Sequence, residues 1–247
     1  MAWLLVDNSN TRTKFALGDA RELLKWRGML PTASVDARAL EQLLTGVEYH
    51  AAVVCSVVPA VGEKLAKFLA GDIGKPVHML NSRSPIGMAI DYPEPEQIGA
   101  DRLANAAAVA GTYEGPMIVT DFGTAVTFDV ISSRPAYCGG VIAPGLGAMT
   151  DYLATKTALL PVIELQPPGS AIGKSTVHAM QSGAFHGYRG LVKEIIAALS
   201  AELGGPPRVI ATGGDAEWIS QGMAEIHEVA PTLTLEGLRR VAMRLFA

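Results

Sequence analysis

"LLVDNSNTRTKF", residues 4–15, is followed about half a chain later by "IVTDFGTAVTF", residues 118–128. The two stretches share a frame. Asp7 falls on Asp121, Ser9 on Gly123, Asn10 on Thr124 and Thr13 on Thr127. Each starts as an apolar run that reads as a buried strand, breaks into Asp and small polar residues, and resumes as a second apolar strand. Two copies at this separation point to a duplicated domain.

The turn composition has a chemical reading. Small residues let a phosphate approach the backbone, whose N–H groups point into the turn, and hydroxyl and amide side chains add donors. An Asp at the strand end repels a phosphate directly, so its use there is to hold a bridging cation or to order water around one. Two facing hairpins of this kind would clamp the phosphates of a nucleotide between two lobes.

The rest of the chain reads as α/β. "HAAVVCSVV" and "PVHML" are strands. "VDARALEQLLTGV" has helical spacing, with Asp36 near its start and Gly46 at its end, and "AVGEKLAKFLAG" is amphipathic. A Pro-rich segment, "NSRSPIGMAIDYPEPEQIGADR", precedes the small-residue helix "ANAAAVAGTY", whose alanines allow close packing on another backbone, within the fold or in a partner. "YCGGVIAPGLGAMTDYLATKTALL" reads as a Gly-rich strand and turn leading into a helix. "RVIATGGDAEWI" reads as a strand, a Gly-Gly turn and a helix, and "TLTLEGLRRVAMRLF" as a last helix with Thr234 as candidate cap. The "GKST" at 173–176 opens a long helical region and is not a P-loop, because that pattern needs a glycine where Pro168 stands.

Composition excludes several classes. The 247 residues carry a net charge of −4, against a nucleic-acid surface held by counterion release. The Arg239-Arg240 pair reads as a solvated helix face. Cys55 and Cys138 are the only cysteines, too few for a disulfide framework or a zinc site. Cys55 sits in an apolar run, and Cys138 precedes a Gly-Gly turn. No apolar run reaches membrane-spanning length, and the start enters a strand without a basic leader, so a cytoplasmic protein is expected. His178 and His186 have no evident third ligand, and Trp3 and Trp218 read as packing residues.

In order and spacing, "DNSNTRTK" (7–14), "YPEPEQIGADRLANA" (92–106), "DFGTAVTFD" (121–129), "GGVIAPGL" (139–146), "GKSTVHAMQSGAFHGY" (173–188), "VIATGGDA" (209–216) and "LTLEGLR" (233–239) resemble the type III pantothenate kinases, of the acetate kinase, sugar kinase and actin superfamily. The resemblance implies two duplicated ribonuclease H-like domains with the nucleotide cleft between them. Residues 1–114 would form the first lobe and 115–247 the second, the last helix being a candidate to pack back on the first. It implies ATP-dependent phosphorylation of pantothenate to 4′-phosphopantothenate, the first step of coenzyme A synthesis, in a homodimer with the acceptor site near the interface.

Residue by residue, the resemblance makes Asp7, Asn8, Ser9, Asn10, Thr11, Arg12, Thr13 and Lys14, with Thr124, the ATP phosphate cradle, and Gly213-Gly214 the adenosine-side turn. Asp7 would lie at the Mg²⁺ end, while Lys14 would face either the phosphates or solvent. The acceptor site would be Tyr92, Gly99, Ala100, Asp101, Arg102 and Thr176. Asp101 would be the base that takes the hydroxyl proton, and Arg102 a planar fork for the pantothenate carboxylate. From Gly99, Ala100, Asp101 and Arg102 alone, a helix cap and a surface ion pair would be the plainer account of Asp101 and Arg102. Asp121 would ligate K⁺ or NH₄⁺. Two departures stand out. Ser9 replaces the family's usual glycine and would be strained if the turn required positive φ, and Gly147-Ala148 replace larger residues. A catalytically silent nucleotide-binding relative, or a same-fold kinase of another small hydroxy acid, are the alternatives.

Overall fold

The computed structural model describes residues 1–247, the side chain of Asp72 excepted. The first half builds β1 (Trp3–Asn8), β2 (Arg12–Gly18), β3 (Leu23–Pro31), α1 (Ala37–Leu44), β4 (Ala51–Ser56), α2 (Pro59–Ala66), β5 (Val77–Met79), β6 (Ala89–Ile90) and α3 (Ala100–Val109). The first five strands form one sheet in the order β3-β2-β1-β4-β5. The pairs β1–β2 and β2–β3 are antiparallel, and β4 runs parallel to both β1 and β5. β1 is central and buried along its whole length, so alternation fails and it reads as a continuous apolar run. Leu4 and Val6 pack with Leu40 of α1 and Leu65 of α2 on one face, and Trp3 and Leu5 with Leu103 of α3 on the other. Asp36 caps α1, its carboxylate accepting the Ala39 N–H at 2.8 Å, an arrangement worth about 1 kcal/mol.

The second half repeats the plan with β7 (Met117–Phe122), β8 (Ala125–Ile131), β9 (Ala136–Pro144), α4 (Leu146–Lys156), α5 (Thr176–Glu202), β10 (Arg208–Thr212), α6 (Ala216–Ser220), β11 (Glu228–Val229) and α7 (Leu233–Phe246). Its strands run β9-β8-β7-β10-β11, with β7–β8 antiparallel and β7, β10 and β11 parallel. The strand order of the first sheet is thus reproduced position for position, as a duplicated ribonuclease H-like plan requires. Ser175 caps α5, its hydroxyl accepting the His178 N–H, which gives the "GKST" stretch a local structural role.

Compactness divides the chain into a unit of Met1–Glu114, Ser133–Cys138 and Thr232–Ala247, and a unit of Gly115–Ser132 and Gly139–Pro231. Within the first unit β6 pairs with Ala136–Tyr137. α7 packs there against α3, β1 and β4. A Cβ at Gly237 would lie 1.8 Å from the Ala104 carbonyl oxygen, so the small residues of α3 are used inside the chain, backbone against backbone with α7. No helix among the described residues is long and apolar enough to cross a membrane.

Several expectations change. The second hairpin turn is one residue shorter than the first. Asp7 faces Lys14 and Asn8 faces Thr13, whereas Asp121 faces Thr127 and Phe122 faces Val126. Lys14, not Thr13, is therefore the counterpart of Thr127. β3 was not anticipated, because its mostly half-exposed edge position admits Lys25, Arg27 and Gly28. Gly139-Gly140 make no turn but continue β9. Thr234 is not the cap of α7, which falls on Thr232; Thr234 is buried in the first turn and donates to Asn105 Oδ1 at 2.9 Å. Arg239 and Arg240 are not solvated. Arg239 is buried, clasps Glu236 and donates to the Asp19 carbonyl at 3.0 Å. Arg240 donates to the Ala110 carbonyl at 2.8 Å, satisfying a helix-end acceptor of α3.

Candidate active site

In the first unit, the candidate residues gather at the turn after β1 and at the start of α3. Asp7 is 3% exposed. Its Oδ1 accepts the Ser9 hydroxyl at 3.0 Å, and Lys14 Nζ lies 3.5 Å from its Oδ2. Burial pushes the Asp7 carboxyl above its ordinary range, while Lys14 and Ser9 oppose the shift. Lys14 is therefore the cross-strand counter-ion of Asp7. Among the described residues no non-glycine residue has positive φ, so Ser9 sits without the anticipated strain. Asn10, Thr11 and Arg12 are exposed at the turn. Asn8 and Thr13 instead turn inward, fully buried, with Asn8 Nδ2 donating to Thr13 Oγ1 at 2.7 Å.

α3 begins at Ala100, with Gly99 as its N-cap. Asp101 Oδ1 accepts the Arg102 N–H at 2.8 Å. Burial raises the Asp101 carboxyl, the Arg102 N–H opposes, and the negative charge of Asp7 raises it further. The two carboxylates are thus within electrostatic reach of one another. A Cβ at Gly99 would stand 2.6 Å from Asp101 Oδ1, so glycine there clears the space the carboxylate occupies. Arg102 is 8% exposed, its guanidinium carbon 5.6 Å from the centre of the Tyr137 ring. Tyr92 meets Tyr137 edge to face at 6.4 Å. Tyr137 thus joins Tyr92 and Arg102, and nothing in the local sequence marks it.

In the second unit three turns converge. A Cβ at Gly145 would lie 2.2 Å from the Gly123 carbonyl oxygen and 2.5 Å from that of Thr124. Gly213 has φ of 99°, and a Cβ there would lie 2.4 Å from the Phe122 carbonyl oxygen and 2.6 Å from Asp121 Oδ1. Between these turns is a cavity of about 450 Å³ lined by Gly123, Thr124, Gly147, Ala148, Asp151 and Asp215. Burial raises the Asp215 carboxyl. Gly145, Asp151 and Asp215 were not singled out in the sequence, although "PGLG" and "GGD" flank them. Thr176 lies apart from this group. It opens α5 and lines a mostly apolar cavity of about 590 Å³ with Met149, Leu153, Ile163 and Met180. His178 and His186 are both exposed on α5, and no group of three or more His, Cys, Asp or Glu able to hold a metal occurs among the described residues.

The family model described as type III pantothenate kinase matches residues 3–198. The type III pantothenate kinase of Akkermansia muciniphila is 57% identical over 242 residues, covering 98% of each chain. The chain belongs to the type III pantothenate kinase family. Among solved structures, an inorganic polyphosphate/ATP-glucomannokinase from Arthrobacter aligns over 100% of this chain and 99% of its own, with a TM-score of 0.53 at 14% identity. A Campylobacter jejuni protein described as a Baf family transcriptional activator aligns over 98% of both chains, with a TM-score of 0.65 at 19% identity. At such identities these two carry the fold alone.

For this pantothenate kinase family member, the Gly213 geometry makes a direct prediction. Gly213→Ala forces both a positive-φ Cβ and a backbone collision at the strand end that carries Asp121. Such strain costs of order 1–3 kcal/mol. The expected outcome is a KM for ATP raised by roughly tenfold or more, with Gly190→Ala, on α5 outside these turns and with nothing within 4 Å, close to the parent. Steady-state kinetics on the two variants check it.

Proposed function

We infer that this chain transfers the γ-phosphoryl group of ATP to the 4′-hydroxyl of pantothenate, yielding 4′-phosphopantothenate for coenzyme A synthesis. Beyond family membership, the observation that carries the reading is Asp101. It is a carboxylate of raised pKa, held at the first turn of a buried helix by its neighbour's N–H and set electrostatically beside Asp7. Phosphoryl transfer needs positioning and charge neutralisation more than covalent chemistry. Asp101 accepts the acceptor hydroxyl's proton as its oxygen bonds to phosphorus. Arg102, steadied over Tyr137, offers its fork to the pantothenate carboxylate. Tyr92, Gly99 and Ala100 complete that wall, and Thr176 is a further acceptor contact.

ATP phosphates are assigned to the 7–14 turn and to Thr124, and the adenosine side to Gly213-Gly214, where Asp215 offers an acceptor for sugar hydroxyls. Mg²⁺ suits this donor set. It prefers one or two carboxylates plus phosphate oxygens and water over an all-protein cage, and Asp7 is a buried carboxylate at the phosphate turn. When bound, it would neutralise charge on the transferring group. Asp121 is assigned to a monovalent cation, K⁺ or NH₄⁺. The ladder supports this assignment, since Asp7 faces a built-in ammonium, Lys14, where Asp121 faces Thr127.

A homodimer is part of the same reading. Ile142, Tyr152, Leu159, Val162, Ile172 and Val177, all in the second unit, are large apolar residues left exposed in the single chain, more than scattered surface residues need. The silent-relative alternative rested on Ser9. An unstrained Ser9 whose hydroxyl supports Asp7 removes that support.

The test is ATP-dependent phosphorylation of pantothenate by the purified protein with Mg²⁺, in K⁺, in NH₄⁺ and in Na⁺ alone. Turnover that depends on K⁺ or NH₄⁺ is expected. Bound ATP without turnover in any salt would overturn the assignment, and turnover of another hydroxy acid in place of pantothenate would replace the acceptor.

A further inference from the structure

Behind the 7–14 turn lies a buried chain of hydroxyls and one amide. The Ser56 hydroxyl, at the end of β4, lies 2.6 Å from Asn8 Oδ1. Asn8 Nδ2 donates to Thr13 Oγ1 at 2.7 Å. Thr13 Oγ1 and Thr32 Oγ1 are 3.1 Å apart, and Thr32 Oγ1 donates to the Ser9 carbonyl at 2.7 Å. A hydroxyl has one proton. That of Thr32 is committed to Ser9, so Thr13 must donate to Thr32, and the chain runs in one direction from Ser56 to the turn. Asn8 and Thr13 are fully buried and Thr32 is 5% exposed. Thr32 is the first residue after β3 and stands 23 positions from Ser9 in sequence.

The duplication supplies an internal comparison. In the second unit the positions of Asn8 and Thr13 are taken by Phe122 and Val126. Ser56 pairs with Asn8 as the residue after Thr212, Gly213, stands against Phe122. The same strand ends therefore close with apolar packing in one copy and with a satisfied polar chain in the other. The fold itself does not require the polar version, and a buried polar network specifies geometry more than it adds stability.

We propose that Thr32 is a positioning residue for ATP, fixing the phosphate turn by terminating the Ser56–Asn8–Thr13–Thr32 chain on the Ser9 carbonyl. The chain sets where the Ser9 carbonyl points and, through the shared peptide plane, the direction of the Asn10 N–H. Ser9 is held from its other side by its hydroxyl on Asp7 and its N–H on the Arg12 carbonyl, so the turn is tied at each polar group of one residue. This rests on the reading that residues 7–14 hold the phosphates of ATP.

Thr32→Val keeps the shape and removes the last link, stranding the Thr13 hydroxyl and the Ser9 carbonyl. The expected result is a KM for ATP raised roughly tenfold, the cost of a lost buried hydrogen bond, with the KM for pantothenate at saturating ATP within about twofold of the parent. Thr32→Ser should restore the ATP KM. A role confined to stability would lower the melting temperature of Thr32→Val and leave the ATP KM unchanged, which would overturn the proposal, as would equal increases in both KM values. If Thr32→Val does not fold, Ser56→Ala, at the far end of the chain, is measured in the same way and judged on the same criteria. Asp7→Asn separates the two levels. If it impairs the use of ATP while Thr32→Val does not, this proposal alone fails. If neither does, the assignment of the turn fails with it.

Discussion

Asp101→Asn is expected to lower kcat by about a hundredfold to ten-thousandfold, the usual range for loss of a positioned general base, and to leave ATP binding intact. Asn keeps the size of the side chain and an oxygen to accept the Arg102 N–H, so α3 keeps its first turn. What it loses is the capacity to take a proton. The parent should show the complementary pH dependence. Burial and the Asp7 charge hold the Asp101 carboxyl above the ordinary carboxylate range, and only its ionised form is a base. Activity should therefore fall with acid at a higher pH than an exposed Asp would give, and pH–rate profiles read this directly.

The same shift makes a stability prediction of the opposite sense. A carboxyl whose folded pKa is raised favours the fold when protonated, and that contribution is lost as pH rises through the folded pKa. Near neutral pH, Asp101→Asn should melt at or above the parent temperature, the gap closing in acid, where Asp101 is protonated in both states. A variant that is dead and also unstable would point to misfolding, and one that turned over normally would remove Asp101 from the chemistry.

Gly237→Ala is expected to be the most damaging small substitution in the first unit. The added carbon would lie 1.8 Å from the Ala104 oxygen and 2.6 Å from its carbonyl carbon, and both are helix backbone, which has no rotamer to escape into. α7 must move off α3. Overpacking of this kind costs roughly 1–3 kcal/mol and occasionally more, which at about 2–4 °C per kcal/mol for a chain of this size lowers the melting temperature by several degrees. Because α3 carries Asp101 and Arg102 in its first turn, kcat should fall with it, since a misplacement near 1 Å costs of order a hundredfold. Gly190→Ala, in the interior of α5 with nothing within 4 Å, should instead gain about 1 kcal/mol of helix propensity. Thermal melts of the two variants, side by side, test the packing argument. Equal melting temperatures would refute it.

The duplicated plan was legible because β1 and β7 are short, apolar and each followed by Asp and a tight turn. Those signals are local and survive in one dimension. The frame beyond the turn was not legible, since one extra residue in the first turn leaves the residue types similar while shifting every later pair. The acceptor reading of residues 99–102 came from the family resemblance, since those residue types alone favour a helix cap and a surface ion pair. The structure adds why Gly99 is glycine and why Arg102 can sit buried, through a carboxylate that fills the glycine's space and a ring from a distant strand. Tyr137, Thr32 and Asp215 were missed because their neighbours are made by sheet order, not by spacing. Charge alone misread Arg239 and Arg240. Their stems are covered by protein, and their guanidinium groups are satisfied by Glu236 and by carbonyls at Asp19 and Ala110, none of which a helical pattern reveals.

The first unit is discontinuous, and this has a consequence for biosynthesis. α3 leaves the ribosome early, but α7, the helix that covers it, is made only after the whole of the second unit. At elongation rates of roughly 5–20 residues per second, an alanine-rich apolar face waits on the order of ten seconds for its cover. The second unit, apart from the short 133–138 insert, is contiguous in sequence and can condense first. The nascent chain is then a natural client for a holding chaperone, and the first unit, with Asp101 on it, is completed last.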